Sequence, residues 1–133
     1  MGGFFMSDNA SMPAEWIKKA ESDLKSARIL LASGESCMDT VCFHAQQTAE
    51  KCLKALLTES GTPFRKIHDL DILLQLTGDA EMQPYRQGCV MLSTYAVEAR
   101  YPGDYVEPEQ EEATEAVRIA SMIYELAKKK LDL

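Results

Sequence analysis

Residues 39–60 read DTVCFHAQQTAEKCLKALLTES, and the reading of this stretch decides the fold. Cys42, Ala45, Ala49, Cys52, Leu53 and Leu56 recur at steps of three and four. That is the period of a helix with one face on a core. Gly61 and Pro63 follow at once and end it, because one favours the left-handed cap and the other cannot continue a helix.

The same period extends outward in both directions. From Pro13 to Ser33, Ile17, Ala20, Leu24, Ala27 and Leu31 keep helical step, and Trp16 and Leu30 widen the face. Lys18, Glu21, Lys25 and Arg28 fall opposite, so an amphipathic helix of about 20 residues is predicted. Downstream, Asp69 is placed to cap a short helix carrying Leu70, Leu73 and Leu74, which Gly78 and Asp79 interrupt. Pro84 is expected to open a third long helix with Cys89, Leu92 and Ala96 inward, reaching about Arg100. Residues 101–105, YPGDY, have the composition of a turn. A last helix runs from Pro108 to Leu131, with Ala113, Val117, Ala120, Ile123, Tyr124 and Ala127 in register. Its acidic start (Glu109, Glu111, Glu112, Glu115) and basic end (Lys128, Lys129, Lys130) complement the helix dipole.

No stretch keeps the period-two alternation of a strand. The expected fold is therefore all-α, an antiparallel bundle of four to five helices. The chain divides into a flexible lead-in, residues 1–11, and one helical domain, residues 12–133. No apolar run reaches the length that spans a bilayer, so no membrane role is expected.

The 133 residues carry 21 acids and 14 bases, a formal charge of −7. Such acidity repels phosphate backbones at long range and disfavours bulk DNA binding. Four cysteines at 37, 42, 52 and 89 lie partly on core faces without zinc-site spacing. They read as reduced thiols of a cytoplasmic protein. With His44 and His68 alone, neither preceded by Glu at three residues, a bundle metal site is not expected, and no resident cofactor is indicated. Phosphate-loop and nucleophile-elbow motifs are absent.

One polar constellation remains. His44, Gln47, Lys51 and Lys54 share a stripe of the second helix, flanked by Gln46 and Glu50. It reads either as a solvated face with a Glu50–Lys54 pair or as a ligand surface. Residues 44–57, HAQQTAEKCLKALL, followed by Gly61, His68-Asp69-Leu70, Leu73-Leu74 and Ala99-Arg100-Tyr101-Pro102, resemble the signature of the HEPN domain family. The likeness covers about residues 14–130.

The resemblance implies a helical bundle that forms a homodimer and works in nucleotide or RNA chemistry. One branch of the family consists of metal-independent ribonucleases, with Arg and His separated by four to six residues. The other acts beside a minimal nucleotidyltransferase, often co-encoded, as its nucleotide- or substrate-binding partner. Here the positions five to seven before His44 hold Cys37, Met38 and Asp39, and those before His68 hold Gly61, Thr62 and Pro63. Those after Arg100 hold Tyr105, Val106 and Glu107. Without the paired histidine there is no acid or base at the expected place to activate an RNA 2′-hydroxyl.

The reading is therefore a nucleotide-binding or nucleotidyltransferase-partner protein without catalysis of its own. His44, Gln47, Lys51, Lys54, Arg100, Tyr101 and Asp104 are the candidate binding residues. Two alternatives stand beside it. One is a ribonuclease of a toxin–antitoxin module, in which folding brings Arg100 to a histidine. The other is a structural dimeric module whose polar stripe is an interface.

Overall fold

The computed structural model describes residues 12–96 and 106–133, and among these it holds five α-helices and no strand. They are α1 (Pro13–Ala32), α2 (Met38–Ser60), α3 (Leu70–Thr77), α4 (Arg86–Ser93) and α5 (Gln110–Leu131). The expected lead-in, residues 1–11, lies outside the described residues, as do Arg100, Tyr101 and Asp104.

The long helix α2 is the axis of the molecule. Twelve of its residues are buried, including Val41, Cys42, Ala49, Leu53 and Leu57, because α1, α3, α4 and α5 all pack on it. The first helix lies antiparallel to it: Trp16, early in α1, sits by Lys54, and Asp23 sits by His44 and Lys51. In α1 the buried stripe is Ile17, Ala20, Leu24 and Ala27, and in α5 every apolar residue expected inward is buried.

The end of α2 is built as the sequence indicates. Gly61 takes φ of 72°, and the Thr62 N–H reaches back to the Leu57 carbonyl at 2.9 Å. This satisfies a carbonyl that the helix end would otherwise leave free. The chain then runs back along α2 until His68 meets Glu50, and α3 sets off from there. Asp69 Oδ1 accepts from the N–H groups of Asp71 and Ile72 at 2.9 and 3.2 Å, the expected cap.

The third long helix does not form as expected. Asp79 caps a 3₁₀ turn, Ala80–Tyr85, that contains Pro84, and α4 begins only at Arg86. It ends at Ser93, where Tyr95 and Ala96 bond to carbonyls three residues back and tighten the turn. Tyr95 is buried there, its hydroxyl lying against Cys42 and donating to Glu112. Gly88 lets α4 approach α5, since a Cβ at that position would meet Ile119 Cγ2 at 2.8 Å.

All four cysteines are free; Cys42, Cys52 and Cys89 are buried and Cys37 is half-buried. Burial first, then the Glu112 carboxylate, pushes the Cys42 thiol up to about 11. Burial does the same to Cys89, up to about 12, and raises Cys52 further. Thiolate is the reactive form. In the native protein a disulfide reagent is expected to modify Cys37 rapidly and the other three only on unfolding, giving one fast equivalent by absorbance. Four fast equivalents in native buffer would contradict this packing.

Candidate functional site

The stripe of α2 is divided between two polar clusters. The first is anchored by Asp23, which lies seven residues after Trp16 and so on the same edge of α1. Its carboxylate accepts from His44 Nδ1 at 2.8 Å on one oxygen and from Lys51 Nζ at 2.5 Å on the other. Side-chain exposures are 12% for Asp23, 27% for His44 and 24% for Lys51, so the cluster is held firmly yet reaches the surface. A carboxylate only accepts, so Nδ1 carries the imidazole proton and Nε2 is left for another partner. Lys51 has three donors and gives one to Asp23.

The second cluster is enclosed. Lys54 and Glu50 are 4% and 7% exposed and pair at 3.1 Å, and Gln46 is fully buried beside them. Glu50 Oε1 accepts from Gln46 Nε2 at 2.9 Å, and Oε2 meets His68 Nδ1 at 3.0 Å as well as Lys54. Gln47 extends the chain by donating to Gln46 Oε1 at 2.7 Å. The Lys54 ammonium lies 5.6 Å over the ring of Trp16 and 5.5 Å over that of Phe64. Burial opposes the charge on Glu50, but hydrogen bonds from His68 and Gln46, with the Lys54 cation, outweigh it. They hold its carboxyl below the usual range.

These facts revise the expected stripe. The Glu50–Lys54 pair forms, but neither partner is solvated, because α2 is covered on more sides than a single amphipathic face implies. Lys54 is covered by the rings of Trp16 and Phe64 and paired with Glu50, so among the described residues it is set apart from the exposed part of the stripe. His68 ties the connection between α2 and α3 to Glu50, with its own side chain 66% exposed, and makes no bond to His44. His44, Gln47 and Lys51 remain together at the accessible edge of α1 and α2. Asp23, which joins two of them, was not singled out by sequence reasoning. Its signal was an acid on the Trp16 edge of α1, facing a helix with two lysines.

Among the described residues no three His, Cys, Asp or Glu side chains gather to hold a metal, and no helix is long and apolar enough to cross a membrane. The described arrangement places a lysine cation, balanced by the Asp23 carboxylate, an imidazole and an amide along one edge of α2.

Comparison with known proteins agrees with the fold. The chain resembles the crystal structure of ST0689, an archaeal HEPN homologue, at 28% identity and a TM-score of 0.73. That match covers 90% of this chain and 98% of that one. It is similar also to TT1696 from Thermus thermophilus, at 26% identity and a TM-score of 0.70, covering 89% and 97% of the two chains. No curated protein matches the sequence. The HEPN domain model matches residues 13–131, through all five helices and both polar clusters, and the chain therefore belongs to the HEPN domain family.

Proposed function

We propose that this HEPN domain protein binds a nucleotide, alone or as the substrate-binding partner of a co-encoded minimal nucleotidyltransferase, and does no catalysis of its own. The observation that carries this reading is the Asp23 carboxylate fixing His44 and Lys51 side by side at an accessible edge. A nucleotide needs a cation for phosphate and a flat or amide group for its base, and Lys51, His44 and Gln47 supply these types. Arg100, Tyr101 and Asp104 belong to the same reading through the family likeness. A homodimer and a cytoplasmic setting complete it. The absence of Arg and His at nuclease spacing favours binding over RNA cleavage.

The test is titration of the purified chain with ribonucleoside 5′-mono- and triphosphates and with the co-encoded enzyme. A charge-assisted hydrogen bond is worth about 1.5–3 kcal/mol, so Lys51→Met is expected to weaken nucleotide binding by roughly ten- to a hundredfold. No association with any nucleotide or with the enzyme would refute the proposal. RNA cleavage abolished by His44→Ala would replace it with the ribonuclease alternative.

A further inference from the structure

We infer that Asp23, His44 and Lys51 form a proton-linked receptor for the phosphate group of the ligand, binding it more tightly when His44 is protonated. This rests on the nucleotide-binding reading above and specifies its chemistry. The argument begins with charge. Asp23 and Lys51 cancel, so with a neutral imidazole the cluster has no net charge and His44 Nε2 presents a lone pair to an incoming anion. Protonation changes both terms together. The cluster becomes cationic, and Nε2 becomes a second donor beside the two Lys51 protons that Asp23 leaves free.

Asp23 is the positioning residue in this scheme. Its two oxygens each hold one donor, at 2.8 and 2.5 Å, so His44 and Lys51 are set in place before a ligand arrives. The surroundings hold few competitors. From α1, Asp23 is the acid at His44; Glu21 on that helix faces Lys25 at 3.8 Å. From α2, the charged neighbour through Asp23 is Lys51, while the Phe43 ring stands edge-on to the imidazole at 5.9 Å. On α5, Glu115 pairs with Arg118 and Lys130 with Asp79. On α3 and α4, Asp71 pairs with Arg86. None of these bonds to His44, and among the described residues the charged group bonded to it is Asp23.

The consequence is a sign that ligand titration cannot mimic. A phosphate monoester gains charge as pH rises through about 6, which alone would strengthen binding to a cation. Proton-linked binding instead weakens as pH rises, because with Nδ1 committed to Asp23 the imidazole can donate from Nε2 only while it holds a second proton. The experiment is calorimetric titration of the full chain with a ribonucleoside 5′-monophosphate and with the matching nucleoside, at about pH 6.5 and about pH 9. Affinity for the monophosphate is expected to fall at least about tenfold across that interval. Binding should be accompanied by net proton uptake, read from buffers of different ionisation enthalpy. The nucleoside should bind weakly and without this dependence. His44→Gln, which keeps an amide near Asp23, should abolish the pH dependence and the proton uptake while leaving residual phosphate affinity through Lys51.

Tight monophosphate binding that is flat or rising with pH overturns the inference and leaves the nucleotide-binding reading standing. So does a nucleoside that binds as well as its monophosphate. Failure of every nucleotide to bind at either pH overturns both.

Discussion

Glu50→Leu is expected to lower the stability of the chain by about 3–5 kcal/mol, the usual cost of stripping one partner from a buried ion pair. For a domain of this size that is a fall in Tm of roughly 10–20 °C. The cause lies in what the change leaves behind. Lys54 stays 4% exposed under Trp16 and Phe64 with no anion, and the buried Gln46 amide loses its acceptor. The cost is thus mainly that of an uncompensated buried charge rather than of the pair itself. Adding Lys54→Met to Glu50→Leu removes that charge, and the double variant is expected to recover about 2 kcal/mol or more. Denaturant unfolding of the two single variants, the double variant and the parent measures this. A Glu50→Leu chain as stable as the parent would mean that the pair is solvated.

The same residue gives the acid response a definite sign. The Glu50 carboxyl is held below the ordinary range in the folded chain, because the bonds from His68, Gln46 and Lys54 overcome its burial. A group depressed by folding contributes its full stabilisation above the unfolded value of about 4.3, and loses it as pH falls through the folded value. Stability should therefore decline below about pH 4.5, and the decline should be shallower in Glu50→Gln than in the parent. Asp71, Asp79 and Glu115 are depressed too by their partners Arg86, Lys130 and Arg118. They remain in both proteins, so the difference between the two curves isolates Glu50. Parallel curves from pH 6 to pH 3 would contradict this account.

The long helices were legible because their signal is local. Ile17, Ala20, Leu24 and Ala27 mark α1, and Ala113, Val117, Ala120, Ile123 and Ala127 mark α5, by spacing alone; each of these residues is buried. The caps at Gly61 and Asp69 were legible for the same reason. The segment after Gly78 was not, because Cys89, Leu92 and Ala96 keep helical step past the point where the helix stops. Just past that point Tyr95 is buried against Cys42 and bonded to Glu112, partners far away in sequence that no local spacing shows.

The candidate site divides along the same line. That His44, Gln47, Lys51 and Lys54 share one stripe follows from the helix period. That Lys54 is enclosed while Lys51 is not depends on a long-range neighbour. Phe64, from the connection between α2 and α3, folds back over Lys54, and no periodicity announces it. Asp23 escaped for a related reason: its importance comes from facing α2, and a helix read by itself shows only which face is apolar.

Phe64 is itself the other position where a single change should act strongly. It is fully buried in a connection that has no regular structure of its own, and it meets the Trp16 ring edge-on at 6.0 Å. Phe64→Ala removes a buried aromatic side chain and leaves a cavity, a loss of about 3–5 kcal/mol. It also opens the cover over Lys54 and removes one of the two rings facing that ammonium. Phe64→Leu keeps most of the volume and should cost less, roughly 1–2 kcal/mol including the lost cation–π contact. Ile72→Ala, at a residue 49% exposed on α3, is a surface control expected to stay within about 0.5 kcal/mol. The chain holds one tryptophan, so its fluorescence reports this corner alone. In Phe64→Ala the native emission should move to longer wavelength and become more accessible to acrylamide, before any unfolding. In Phe64→Leu it should stay near the parent. A variant that loses stability while Trp16 remains as shielded as before would place Phe64 elsewhere in the core, and Lys54 would then owe its burial to Trp16 alone.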